Sequence, residues 1–284
     1  MSELPAPETF LSGEPRAMEG RRALLRARAA DAALGLRARL SRTGARLDRL
    51  AAAAPVRDVV VLSIYRPPAE RLAAALSELR SERGHRVRFA FGSTGAAVDA
   101  LREHTVAVDL GGGKFENLNA LRPAEPADWT LVVDDDVVLP QRFLDRFIGL
   151  AERFDLALAQ PAQTRGSHAA WTVTRRQGGA LLRETRFVEI GPVTAFRADA
   201  AAELLPFPPL RYGWGLDAHW AAIAEQRGWR LGVADALPVR HDEGAVASLY
   251  SGDDAIEEAQ RFLACRPYLP STRLQETVAV HRRA

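Results

Sequence analysis

The sequence predicts an α/β fold with a mostly parallel central sheet covered by helices on both faces. Strands and helices alternate for about a hundred residues from residue 56. The strands are apolar runs that read as buried. One of them stops at three consecutive acids, Asp134-Asp135-Asp136, and in sheets of this kind ligands bind at the carboxyl ends of strands.

Residues 1–13 read as a disordered tail rich in Pro, Ser and Glu. Residues 15–53 consist almost wholly of strong helix formers, with an apolar stripe of Leu25, Ala29, Ala32, Leu36, Leu40, Leu47 and Leu50. That stripe suits packing on the same chain, pairing with a second copy, or contact with a membrane surface. Pro55 ends the helix. A strand over 56–65 follows, then a helix over 67–84 closed by Gly84. A second strand covers 87–93, a short helix 96–103 and a third strand 105–110. "WTLVVDDD" is the fourth strand, 140–154 a helix and 155–160 the fifth strand. Residues 171–176 and 182–190 are expected to pair antiparallel, and "RFVEIGPVTAFR" (186–197) to form a core strand. A helix over 216–228 precedes a last strand over 229–236, and the tail after Gly252 reads as helical, then irregular. The expected organisation is a tail and basic helical extension (1–54), a catalytic domain (55–252) and a C-terminal helix and tail (253–284).

At 284 residues, with 47% hydrophobic and 26% charged residues, the composition is that of a globular protein able to bury a sizeable core. The net charge of +2 is uneven: Glu14 to Leu50 holds ten Arg against four acids. No nucleic-acid partner is expected from this, since a solvated helix face explains such a segment. The single cysteine excludes an intramolecular disulfide, and the N-terminus lacks a signal pattern, so a cytoplasmic location is the expectation. Of 38 basic residues only Lys114 is a lysine, which singles it out as a position needing a compact ammonium.

Three readings accommodate the aspartates. They can be structural, with Asp136 capping a turn. They can be phosphatase-like, with Asp134 as nucleophile in "VVDDDVVL", although that chemistry wants a Lys downstream and Lys114 lies upstream. Or Asp134 and Asp136 can grip Mg²⁺ or Mn²⁺ that neutralises a nucleotide diphosphate. Downstream residues favour the third. "YGWGLDAHW" (212–220) offers glycines for close approach, Trp214 as a stacking face for a sugar, and Asp217 in the first turn of a helix as a proton acceptor. His241, just past the last strand, supplies an imidazole ligand. "GGGK" is not a nucleotide-binding Gly-rich loop, because Val108 and Phe115 occupy its required Gly and Ser/Thr positions. Glu189 could touch a sugar, but a structural role is its simpler reading.

Together these residues resemble the GT-A glycosyltransferases over roughly residues 56–250. The resemblance implies a three-layer sandwich in which "SIYRPP" holds the nucleotide base and "GGGKFENLNAL" (111–121) faces the donor through Lys114 and Asn119. Asp134 and Asp136 match the Asp-x-Asp metal motif, and His241 the histidine that completes it. "GWGLD" is similar to the Gly-Trp-Gly-acid motif of β-1,4-galactosyltransferases, with Asp217 as the inverting base. The blocks "AQPAQ", "WTVTRR", "RFVEIGPVTAFR", "GWGLD" and "LGVADALPVRH" also look like those of domain-of-unknown-function family 707. The expectation is a metal-dependent transferase moving a sugar from a nucleoside-diphosphate sugar to a glycan, lipid-linked or small-molecule acceptor. A GT-A-shaped binding protein and an Asp-nucleophile phosphohydrolase are the alternatives. The N-terminal helix is expected to touch a membrane surface or pair into a homodimer.

Overall fold

The computed structural model describes residues 4–12, 21–167, 169–241 and 251–283. Its central feature is a mixed sheet whose core strands are β1 (Asp58–Tyr65), β2 (Arg86–Ser93), β3 (Thr105–Ala107) and β4 (Trp129–Val133), all parallel. The sheet continues through β8 (Val193–Arg197), β6 (Leu156–Gln163), β9 (Arg230–His241), β7 (Leu182–Thr185) and β10 (Thr277–His281). The order is β10-β7-β9-β6-β8-β4-β1-β2-β3, and the two-residue β5 (Val137–Val138) pairs β9 off this path. β8 runs antiparallel between β4 and β6, while β6 and β9 are parallel.

Both faces are covered, as continuous apolar strands require. Successive side chains of β1 point to opposite sides, so Val59 and Val61 enter one core and Val60 and Leu62 the other. The first core is closed by α2 (Thr43–Ala53), α3 (Glu70–Leu79) and α5 (Phe143–Arg153), where the Phe143 and Phe147 rings stack at 5.0 Å. The second is closed by α4 (Lys114–Leu121), α6 (Ala198–Leu204), α7 (Leu216–Arg227) and α8 (Gly252–Leu263). Each fully buried Leu or Val contributes roughly 1.5–3 kcal/mol to such cores.

Several elements differ from expectation. Within the described part of 15–53 there are two helices, α1 (Arg21–Leu40) and α2, broken at Arg42 in the left-handed region (φ 52°). α2 packs on α5 so closely that a Cβ on Gly149 would lie 2.8 Å from the Ala51 backbone, and Asp48 pairs with Arg146 at 2.9 Å. The Leu stripe thus divides: Leu47 is buried by its own chain, while Leu25, Leu36 and Leu40 on α1 stay exposed. The N-terminal tail also packs, because Phe10 is buried in the second core and Gln260 donates to the Pro5 carbonyl at 2.9 Å.

Residues 171–176 do not form a strand; Thr172–Thr174 is a 3₁₀ turn. The cause is Arg183, wholly buried on β7, which bonds Asp235 at 2.8 Å and donates to the Val173 and Arg175 carbonyls at 2.7 and 2.8 Å. Those carbonyls are satisfied by a side chain instead of a ladder. β10 was not expected at all, and no helix of the described residues is long and apolar enough to cross a membrane.

Candidate metal centre

β4 ends where Asp134 N–H donates to the Pro192 carbonyl at 2.8 Å. The chain then turns back as β5, whose Val137 sits opposite His241 in antiparallel register. That pairing sets the neighbouring Asp136 beside His241, with Oδ2 2.8 Å from Nε2. One ligand atom from each of Asp134, Asp136 and His241 lies within 4.8 Å of the others. His241 itself is the last residue of β9, so β9 runs five residues beyond the strand read from the sequence.

The middle aspartate of the turn faces elsewhere. Asp135 Oδ2 accepts the Arg66 N–H at 2.8 Å, tying the metal turn to the loop after β1. Burial pushes the Asp135 carboxyl above its usual range, and the flanking Asp134 and Asp136 add to the rise.

Lys114, first residue of α4, donates from Nζ to Asp134 Oδ1 at 2.6 Å. Burial works against charge on His241, but the hydrogen bond and charge of Asp136, with Asp134 behind it, prevail and raise its pKa. Asp136 Oδ1 is buried without any hydrogen-bond partner among the described residues. An unpartnered buried carboxylate oxygen is costly, and a cation would relieve it. Two carboxylates and an imidazole form a suitable donor set for a divalent ion such as Mn²⁺. The residues fit the metal that the motif implies.

The other expected site residues fall into two groups. Asp217 lies in the first turn of α7, is 6% exposed, and accepts the Ala218 N–H at 2.9 Å. Burial, reinforced by the nearby Glu189 charge, pushes its carboxyl up to about 7. Asn119 is turned away from Lys114: five residues along a helix is about 140° around its axis. Its amide instead clamps the Phe207 backbone, donating to the carbonyl and accepting the N–H, both at 2.8 Å. The glycines beside Trp214 serve packing. At Gly213 (φ 76°) a Cβ would lie 2.0 Å from the Phe115 ring, and at Gly215 (φ 80°) 2.9 Å from Leu263. Trp214 itself is half-buried against the second core.

Sequence reasoning missed two polar features. Glu258 on α8 accepts the N–H groups of Arg211, Tyr212 and Gly213 at 2.6, 2.9 and 2.9 Å, fixing the loop that leads into Asp217. Gln160 and Gln163 lie almost fully buried on β6 and hold Glu189: Gln160 Oε1 accepts its N–H at 2.5 Å and Gln163 Nε2 donates to its carboxylate at 2.8 Å. Two glutamines in an otherwise buried strand were the available signal, since such amides need partners. Burial also raises the Glu189 pKa.

The sequence matches no known family profile and no curated protein. The likeness of its motif blocks to family 707 therefore finds no support. Among solved structures, the chain is similar to GalNAc-T7 with UDP, GalNAc and Mn²⁺, at TM-score 0.49 and 12% identity over 66% of this chain and 44% of that one. It is also similar to the mannosyltransferase PcManGT from Pyrobaculum calidifontis in complex with GDP-Man and Mn²⁺, at TM-score 0.46 and 15% identity over 75% and 68%. The chain spans less than half the length of the first of these.

Proposed function

We propose that the protein is a metal-dependent GT-A-type glycosyltransferase that moves a sugar from a nucleoside-diphosphate sugar to an acceptor hydroxyl. The observation that carries this reading is the convergence of Asp134, Asp136 and His241 at the carboxyl ends of β4 and β9, with Asp136 Oδ1 buried and unpartnered. These three residues would hold Mn²⁺ or Mg²⁺, which when bound supplies positive charge to the diphosphate and its departure.

Lys114 adds a second cation next to Asp134, placed to attract the diphosphate. Asp217 is the proton acceptor for the attacking hydroxyl. A carboxylate with a pKa near 7 is well matched to that task, being available as a base yet strong enough to take the proton. Single displacement with inversion at the anomeric carbon follows if one base acts alone.

Thermal unfolding with a panel of nucleoside diphosphates, with and without Mn²⁺, tests the donor site. A stabilising shift that needs both nucleotide and metal and is lost in Asp136→Ala is expected. No shift with any diphosphate overturns the reading. A binding protein without turnover would shift equally but release no nucleoside diphosphate from donor sugars, whereas the proposed enzyme releases it.

A further inference from the structure

A second charged site lies away from the aspartates, where the N-terminal helices meet the far edge of the sheet. A cavity of about 190 Å³ is lined by Arg37, Arg46, Arg176 and Arg282, with the Ser41 and Thr43 hydroxyls at the break between α1 and α2. The one carboxylate in its lining is Asp235, already committed to Arg183 at 2.8 and 3.1 Å and to the Gln177 N–H at 2.7 Å. The nearby Asp31 carboxylate accepts the Arg165 and Gly166 N–H groups, both at 3.0 Å. Four guanidinium groups therefore share a cavity with no free counter-charge among the described residues.

Their arrangement is costly without a ligand. Arg176 is only 8% exposed. Taking a guanidinium charge largely out of water is unfavourable. Burial accordingly draws its pKa below the usual arginine range, with Asp31 and Asp235 only partly compensating. Arg37 and Arg282 reach the cavity from α1 and from the chain after β10. They converge over Gly179 (φ 81°), where a Cβ would lie 3.3 Å from Arg282 Nη1 and 3.9 Å from Arg37 Nη2. Like charges gathered this way repel unless an anion lies between them. The first turn of α2, eleven residues long, adds its positive end at Thr43, and no side chain caps it.

We propose that this cavity is a phosphate-binding site, taking either a free phosphoester or the phosphate of a lipid headgroup. It is separate from the metal triad. Its lining includes none of Asp134, Asp136 and His241. The site therefore does not depend on the donor reading above.

The test uses the full chain in EDTA, which keeps divalent ions off the triad. Thermal unfolding is followed with inorganic phosphate, pyrophosphate, or chloride at matched ionic strength. At concentrations a hundredfold above Kd the phosphates raise Tm by about 5 °C, and chloride does not. Arg37→Gln and Arg282→Gln, both at exposed positions, each weaken the apparent affinity roughly tenfold, the loss of one charge-assisted bond. Arg176→Leu abolishes the shift and raises Tm without anion, because it removes a charge that burial disfavours; if that variant fails to fold, the two exposed variants suffice. Phosphatidylcholine vesicles with and without phosphatidic acid distinguish the sources. Pelleting that requires phosphatidic acid, Arg37 and Arg282 assigns the site to a lipid headgroup, and a Tm shift without pelleting assigns it to a soluble phosphoester. No shift and no arginine-dependent pelleting, or a shift that survives both glutamine variants, overturns the proposal.

Discussion

Replacing Asp217 with Asn tests the electrostatics of the proposed base directly. The Asp217 carboxyl rises from an ordinary 3.8 to about 7 in the folded protein, first through burial and then through the Glu189 charge. A raised pKa means that the folded chain binds more protons than the unfolded chain between about pH 4 and pH 7. Stability therefore falls as pH rises through that window. At 1.36 kcal/mol per unit over about three units, the loss amounts to about 4 kcal/mol. Asn does not titrate and escapes this loss. It does forfeit one acceptor, for Asp217 also accepts a backbone hydrogen bond from Ile190. That costs about 1–3 kcal/mol at every pH. Urea unfolding of both proteins from about pH 4 to 8 should show the variant gaining on the wild type by about 1.4 kcal/mol per pH unit. The gain should level off above pH 7. A stability difference that stays flat across this range refutes the argument from burial, and with it the claim that Asp217 is a base poised near neutrality. Activity supplies the second readout, since Asp217→Asn should abolish transfer while leaving nucleotide affinity nearly unchanged.

Asp136→Ala and His241→Ala should each weaken Mn²⁺ binding at least tenfold by calorimetry, because each removes one of three ligands. Lys114→Ala should weaken nucleoside-diphosphate affinity with Mn²⁺ affinity kept or improved, since Asp134 is freed of its ion pair; Lys114→Arg should rescue little if a compact ammonium is required. Asn119→Ala should cost about 2–3 kcal/mol in urea unfolding, from two lost bonds to Phe207, and leave donor affinity unchanged. Glu258→Gln should lower kcat while sparing Mn²⁺ affinity, because the loop before Asp217 loses a carboxylate that accepts three N–H groups.

The alternating strands, the acidic turn after β4 and the histidine at the end of β9 were legible because each depends on local pattern. Apolar runs such as "VVVL" can be satisfied only inside a covered sheet. The failures share a different cause, namely partners distant in sequence. "WTVTRR" carries β-branched residues and reads as a strand, but its carbonyls are claimed by Arg183 and its residues turn instead. Asn119 lies in a motif that looks donor-facing, yet its amide answers a backbone 88 residues away. Phe10 is an isolated aromatic among prolines and acids, and nothing local announces that it fills the second core. β10 adds to the sheet edge with most of its residues exposed, so it lacks the apolar pattern that would reveal it.

The triplet of aspartates is intelligible once its members are separated by direction. Residues 134–136 make the turn between β4 and β5, and the turn does not aim its three carboxylates at one point. Asp134 and Asp136 meet His241; Asp135 turns away from them and holds the loop after β1. The repulsion expected of three neighbouring carboxylates is offset from within the chain, by Lys114 on Asp134, by His241 on Asp136 and by the Arg66 N–H on Asp135. What anchors the turn is backbone pairing, β4 to β8 and β5 to β9, with no ion required. Metal loss should therefore empty the site without dismantling it. Among the described residues, the buried oxygen of this turn left without a partner is Asp136 Oδ1, and that is where a cation would complete what the chain's own residues leave uncompensated.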